Sequence, residues 1–227
     1  MDLTEFFQRF REDLRLGPII DKWEGMRPLN HSSLYEYLII AIVLQNATVR
    51  RSVNMMQALF EAYGTRLSYD GKELFCFWLP SVVDKVTEEE LRALKVGYRA
   101  KTIKRVTEAF AKGEIDEFAL REKSKEVQRK VLLDLYGIGP ASVGYILSDV
   151  FHHLDELEYI SPWEQKIYSK LFFDKPPEQP VSVEILLSFF KEHYGEYRML
   201  AVHYVGEDLF WRRKQEDSGW LEKLIRL

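Results

Sequence analysis

A chain of 227 residues, 46% of them hydrophobic, can bury one large core or two small ones, so a folded, enzyme-sized protein is expected. No apolar run is long enough to span a bilayer, and the opening Met-Asp-Leu-Thr-Glu is acidic where a signal peptide is basic, which predicts an intracellular protein. A net charge of −4 speaks against a uniformly basic nucleic-acid binder, and the single cysteine excludes disulfides within the chain and cysteine-held clusters.

Apolar periodicity predicts helices over 3–15, 33–44, 48–63, 88–94, 99–112, 124–135, 140–153, 162–173, 181–193 and 196–213, with few strand signals. Residues 35–44 are nearly all apolar and read as a central helix surrounded by protein. It ends at Gln45 and Asn46, two amides that both donate and accept; such groups suit the gap in an opened base stack, and equally suit an ordinary helix cap. Breaks at 64–71, 113–116 and 175–180 are too short to act as linkers. Cys76, between Phe75 and Phe77-Trp78, reads as a small core residue.

Charge is unevenly spread. Residues 95–130 hold eleven Lys and Arg against six Asp and Glu, which predicts a basic face or, on the plainer reading, a solvated helix surface. Within it, Gly97-Tyr98-Arg99-Ala100-Lys101 places an aromatic among cations, a pattern that fits both a nucleic-acid contact and cations snorkelling around a half-buried ring.

Next comes Leu135-Tyr-Gly-Ile-Gly-Pro-Ala-Ser142. Gly137 and Gly139 permit positive φ, and Pro140 suits the first turn of the helix that follows. The helix start directs backbone amides outward, so Gly137, Ile138, Gly139, Ala141 and Ser142 are candidates to hold a nucleic-acid phosphate; a plain helix-turn-helix corner is the alternative. Twenty-two residues beyond Gly139, Ser161-Pro-Trp-Glu164 forms an S-x-x-E capping box, so Glu164 and Trp163 are either cap and packing or an acid and an aromatic offered to a ligand. The five histidines show no metal-ligand grouping, and neither a metal nor another cofactor is expected.

Taken in order, these segments resemble the helix-hairpin-helix superfamily of DNA base-excision glycosylases, in its endonuclease III-like and 3-methyladenine branches, over roughly residues 30–212. The resemblance implies an all-α, two-lobed fold with DNA in the cleft, one lobe from 1–30 and 125–227 carrying the hairpin and the other from 31–124. It also implies a monomer acting on double-stranded DNA with a damaged base. Gln45 and Asn46 match the wedge that fills the space of an extruded base, while Arg99, Lys101 and Lys166 match basic DNA contacts. Trp163 and Tyr145 are the aromatics for the base pocket.

Two departures shape the expected chemistry. Lyase members carry a Lys two residues after the second hairpin glycine, and here that residue is Ala141, which implies a monofunctional glycosylase. Ser161 stands where the family has its Asp, so Glu164, one turn on, is the expected replacement, with Ser161 beside it. An aromatic pocket with modest carboxylate help suits alkylated or deaminated purines. The alternatives are a glycosylase/lyase using a lysine outside the hairpin, such as Lys166, and a DNA-binding protein without catalysis.

Overall fold

The Ser33 hydroxyl accepts from the Glu36 amide at 3.3 Å and starts helix α3 (Leu34–Leu44), whose residues are buried on almost every side. In the computed structural model, which describes residues 2–27, 33–213, 219–222 and 224, α3 packs against α4 (Val49–Tyr63) and α7 (Arg99–Ala111). Leu38, Ile39, Ile42 and Val43 are fully covered, each contributing about 1.5–3 kcal/mol of burial free energy.

Further helices in order are α1 (Thr4–Phe10), α2 (Gly17–Lys22), α5 (Pro80–Val83), α6 (Glu88–Leu91), α8 (Glu117–Arg121), α9 (Lys125–Asp134) and α10 (Pro140–Asp149). After them come α11 (Pro162–Phe173), α12 (Val183–Tyr194), α13 (Arg198–Arg212) and α14 (Gly219–Glu222). The architecture is all-α apart from one antiparallel hairpin, β1 (Thr65–Tyr69) with β2 (Lys72–Cys76).

Four local expectations need correction. The helix predicted over 3–15 stops at Phe10, because the Asp13 carboxylate accepts the amides of Arg15 and Leu16 at 2.9 and 2.8 Å and bends the chain into α2. Residues 64–71 are not merely a break: Asp70 and Gly71 take φ of 49° and 68°, the turn that closes a two-residue hairpin. Cys76 is exposed rather than core, since it pairs with Thr65 across the ribbon while Trp78, past the strand, turns inward to donate to the Tyr35 hydroxyl at 3.1 Å. The helix predicted over 140–153 ends at Asp149, where His152 (φ 63°) donates its amide to the Ser148 carbonyl in a left-handed stop.

The chain divides into two compact units, Met1–Asn30 with Leu147–Arg226 and His31–Ile146. The boundary therefore falls inside α10 and not at 124/125. Residues 125–146 belong with His31–Ile146 for reasons visible in the contacts: buried Gln128 donates to the carbonyls of Leu120 and Lys123 at 3.1 Å each, and Gly137 lies against Thr102. In the unit Met1–Asn30 with Leu147–Arg226, α11, α12 and α13 enclose an aromatic core that includes Phe6, Tyr168, Phe172, Phe190, Tyr194 and Tyr204.

Candidate functional site

In the unit His31–Ile146 the site is the junction of three chain segments: the end of α3, the start of α7 and the turn between α9 and α10. That turn rests on Gly137, whose φ of +77° few side chains tolerate and whose Cβ position lies 2.6 Å from Thr102 Oγ1. Conformation and space both demand glycine there. Gly139 corrects the expectation, because its φ is not positive and nothing lies within 4 Å of where its Cβ would be. The protein itself makes no demand for glycine at 139; the open space admits a close-approaching ligand backbone.

Ile138 is also corrected as a backbone-binding residue. Its side chain is buried and its amide already donates to the Leu135 carbonyl at 3.1 Å, so it anchors the turn and offers no donor outward. The first intrahelical bond of α10 runs from Val143 N to Gly139 O at 3.0 Å. Helix geometry accordingly leaves the amides of Ala141 and Ser142 with no acceptor inside α10, at the positive end of its dipole.

Gln45 and Asn46 take different roles. The Gln45 side chain donates to the Gly137 carbonyl at 3.0 Å, which ties α3 to the hairpin, while Asn46 is exposed with a φ of 47° and lies 3.5 Å from the half-exposed Tyr98 hydroxyl. Arg99 does not face solvent at all. At 0% exposure its guanidinium donates to the Ile42 carbonyl at 3.2 Å and to the Gln45 carbonyl, capping the negative end of α3, and it stacks 4.7 Å from the Tyr98 ring centre. Burial pushes its pKa down from the usual value, the neighbouring Tyr98 raises it and Arg51 lowers it further. The expected DNA contact Arg99 is thus a structural cation beneath the end of α3.

Lys101 remains near the surface, its ammonium 5.1 Å from the Tyr136 ring centre, and Arg105 lies 4.8 Å from the same ring. Neither Tyr136 nor Arg105 was expected from sequence. Tyr136 lies inside the hairpin motif but is not one of the residues that its turn requires; Arg105 is one turn beyond Lys101 and shares its face. Tyr145 is partly exposed on α10.

The remaining candidates belong to the other unit. At the start of α11 the Glu164 carboxylate accepts from the Ser161 amide at 2.9 Å and from the Ser161 hydroxyl, and the hydroxyl in turn accepts from the Glu164 amide. This is the capping box, closed at both ends. The assignment of Glu164 and Ser161 as catalytic residues is corrected accordingly: Oε2 faces the backbone of its own helix start, and the Glu164 residue is buried. Trp163 beside it is exposed, and Lys166 is half-buried on the next turn. One buried carboxylate with several donors is marked by no sequence motif. Asp208 is buried and accepts from Lys22 Nζ at 2.9 Å, Trp23 Nε1 at 3.0 Å and Arg212 Nε at 2.6 Å, locking α2 onto α13.

No family model matches the chain. It is 24% identical over 242 residues to a probable N-glycosylase/DNA lyase of Methanothermobacter thermautotrophicus, covering 98% of this chain and 73% of that one. It is also 24% identical to the DNA-3-methyladenine glycosylase of Bacillus subtilis, over 64% of this chain and 48% of the relative, so it spans about half of that protein's length. Among solved structures, the 8-oxoguanine glycosylase/lyase of Clostridium acetobutylicum superposes with a TM-score of 0.76 over 90% of this chain and 70% of that one, at 22% identity. In motif order and in fold, the chain is similar to the helix-hairpin-helix DNA glycosylases, as its sequence implied.

Proposed function

We propose that this protein is a DNA N-glycosylase of base-excision repair that acts inside the cell on double-stranded DNA and hydrolyses the bond between deoxyribose and a damaged purine. The observation that carries this reading is the α9–α10 turn. Gly137 builds it, Gly139 leaves space in front of it, and the Ala141 and Ser142 amides are directed where a strand phosphate can accept. Beside it Asn46 and Tyr98 offer an edge for the gap left by an extruded nucleotide.

Two features support a purine that leaves easily, without strand cleavage. Ala141 supplies no amine at the hairpin position used by lyases, so hydrolysis by water is the step assigned here: the C1′–N bond breaks and water oxygen bonds to C1′, the water proton passing to solvent when a cationic alkylated base leaves neutral, or to the departing base when hypoxanthine leaves. Exposed Trp163, at the start of α11, suits a cationic, alkylated base, which leaves with little help from the protein. Glu164, the carboxylate at that helix start, is held by two donors from Ser161. Its commitment to the capping box also favours a second reading, a protein that binds damaged DNA without releasing the base.

Base release decides between them. Duplexes carrying 3-methyladenine, 7-methylguanine, hypoxanthine, uracil or 8-oxoguanine are incubated with excess protein in single turnover. Release of the methylated purines or hypoxanthine without borohydride-trapped adduct is the expected result. A trapped adduct abolished by Lys166→Gln replaces it with the lyase route, and binding with no release from any lesion establishes the second reading.

A further inference from the structure

We propose that Lys101, Arg105 and Tyr136 form a second phosphate-binding site, which extends the grip of the hairpin by one or two phosphates along the same DNA strand. The inference rests on the reading of the hairpin as a DNA-backbone site; to Lys101, which the resemblance already implied as a basic DNA contact, it adds Arg105 and Tyr136. Three cations lie close together on α7, and their surroundings differ. Lys104 is balanced: its ammonium lies 3.8 Å from Asp84 Oδ1 and 3.3 Å from Glu108 Oε1, and it donates to the Asp84 carbonyl. Lys101 and Arg105 have no carboxylate within 4.0 Å among the described residues.

Instead both share one ring. Their charged groups lie 5.1 and 4.8 Å from the centre of Tyr136, which is 45% exposed on the hairpin turn itself. Like charges four residues apart on a helix repel, and an aromatic face at an exposed site returns only about 0.5–1 kcal/mol. An anion held between them removes the repulsion. The ring also restricts two flexible side chains, so less entropy is lost when a phosphate arrives.

Register fixes where that phosphate comes from. Thr102, next to Lys101, is the residue against which Gly137 packs, so the hairpin turn and this pair of cations are held at one spacing by a buried contact. The two charged groups each lie about 5 Å from the Tyr136 ring centre and so at most about 10 Å from each other, and phosphates of one strand advance about 3.4 Å each along the duplex axis. With Tyr136 on the hairpin turn and Thr102 against Gly137, the pair is assigned the phosphates next to the one held by the Ala141 and Ser142 amides.

Salt dependence reads the number of phosphates directly. The affinity of the full chain for an undamaged, fluorescein-labelled duplex is measured by anisotropy over a series of NaCl concentrations, for the natural protein and for Lys101→Gln/Arg105→Gln. Each lost phosphate contact reduces the slope of log K against log[salt] by about 0.9, so the double variant is expected to lose about 0.9–1.8 from the slope, with an unchanged melting temperature. Tyr136→Leu keeps both charges and is expected to retain most of the slope while binding several-fold more weakly. An unchanged slope in the double variant overturns the site and shows that the cations only pack on Tyr136. If that happens while lesion bases are still released, the glycosylase reading stands without it; absence of any DNA binding by the natural protein overturns both.

Discussion

The side-chain amide of Gln45 donates to the carbonyl of Gly137 at 3.0 Å, so the last residue before the candidate wedge is fastened to the turn that would hold the strand. Asn46, the next residue, is consequently fixed relative to the hairpin turn, with Arg99 holding the Gln45 carbonyl from below. Gln45→Met keeps length and volume while removing the donor. A net hydrogen bond is worth about 0.5–1.5 kcal/mol, so single-turnover base release is expected to fall by roughly tenfold or less while affinity for undamaged duplex is retained. An equal loss in both measurements shows that Gln45 contacts the DNA and does not act as a strut.

The two hairpin glycines separate protein requirement from ligand requirement. Gly137→Ala must keep a φ of +77° and set a methyl 2.6 Å from Thr102 Oγ1, which is expected to cost about 2–4 kcal/mol in chemical denaturation. Gly139→Ala meets no atom of the protein and is expected to change stability by less than about 0.5 kcal/mol. Its methyl instead occupies the approach to the Ala141 and Ser142 amides, so affinity for duplex falls by about tenfold or more. Stability loss at 139, or tight DNA binding by Gly139→Ala, contradicts this division.

These positions also show how much could be read from the chain. Helical period and cap residues are local properties, and they located α3, α4, α7, α9, α11, α12 and α13 to within about two residues. The hairpin and its order relative to Gln45 and Gly97 were equally legible. Burial was not: Arg99 carries the same formal charge as Lys101, and only the packing of α7 under the end of α3 turns one inward and leaves the other beside Tyr136. Glu164 was legible as both cap and acid, because one residue pattern serves both, and its hydrogen bonds select the cap. Asp208 escaped because its partners Lys22 and Trp23 lie far away along the chain, where no spacing rule reaches.

Asp208 is predicted to act in stability, with an asymmetry that its environment sets. The carboxylate is 2% exposed, whereas Lys22 and Arg212 keep 40% and 41% of their side chains in solvent. Asp208→Ala frees two cations that water can rehydrate, and about 2–3 kcal/mol is the expected loss. Lys22→Met/Arg212→Met leaves a buried charge with Trp23 Nε1 as its remaining donor among those described here, and is expected to lose more, about 3–5 kcal/mol. Denaturant unfolding orders the two variants; the reverse order means that the network is screened by solvent more than its burial implies.

Asp13 couples the α1–α2 bend to α12 in a way that acidity can read. Burial pushes its carboxyl up, but the Leu16 amide, His193 and the Arg15 amide together hold it below the ordinary value of 3.8. His193 Nε2 lies 2.6 Å away, stacked on Phe189, and the buried Tyr194, whose hydroxyl is pushed up by burial and then by the Asp13 charge, faces the same carboxylate. A carboxyl depressed in the folded state binds fewer protons there than in the unfolded chain. Its stabilisation is therefore fully present above 3.8 and disappears as pH falls through the lower, folded value. Thermal unfolding of the natural protein and of Asp13→Asn, followed from about pH 6 to about pH 3, is expected to show the natural protein more stable at the upper end and the two curves converging at the lower end. Parallel curves across that range mean that Asp13 serves the bend through hydrogen bonding alone and that its charge contributes nothing to folding.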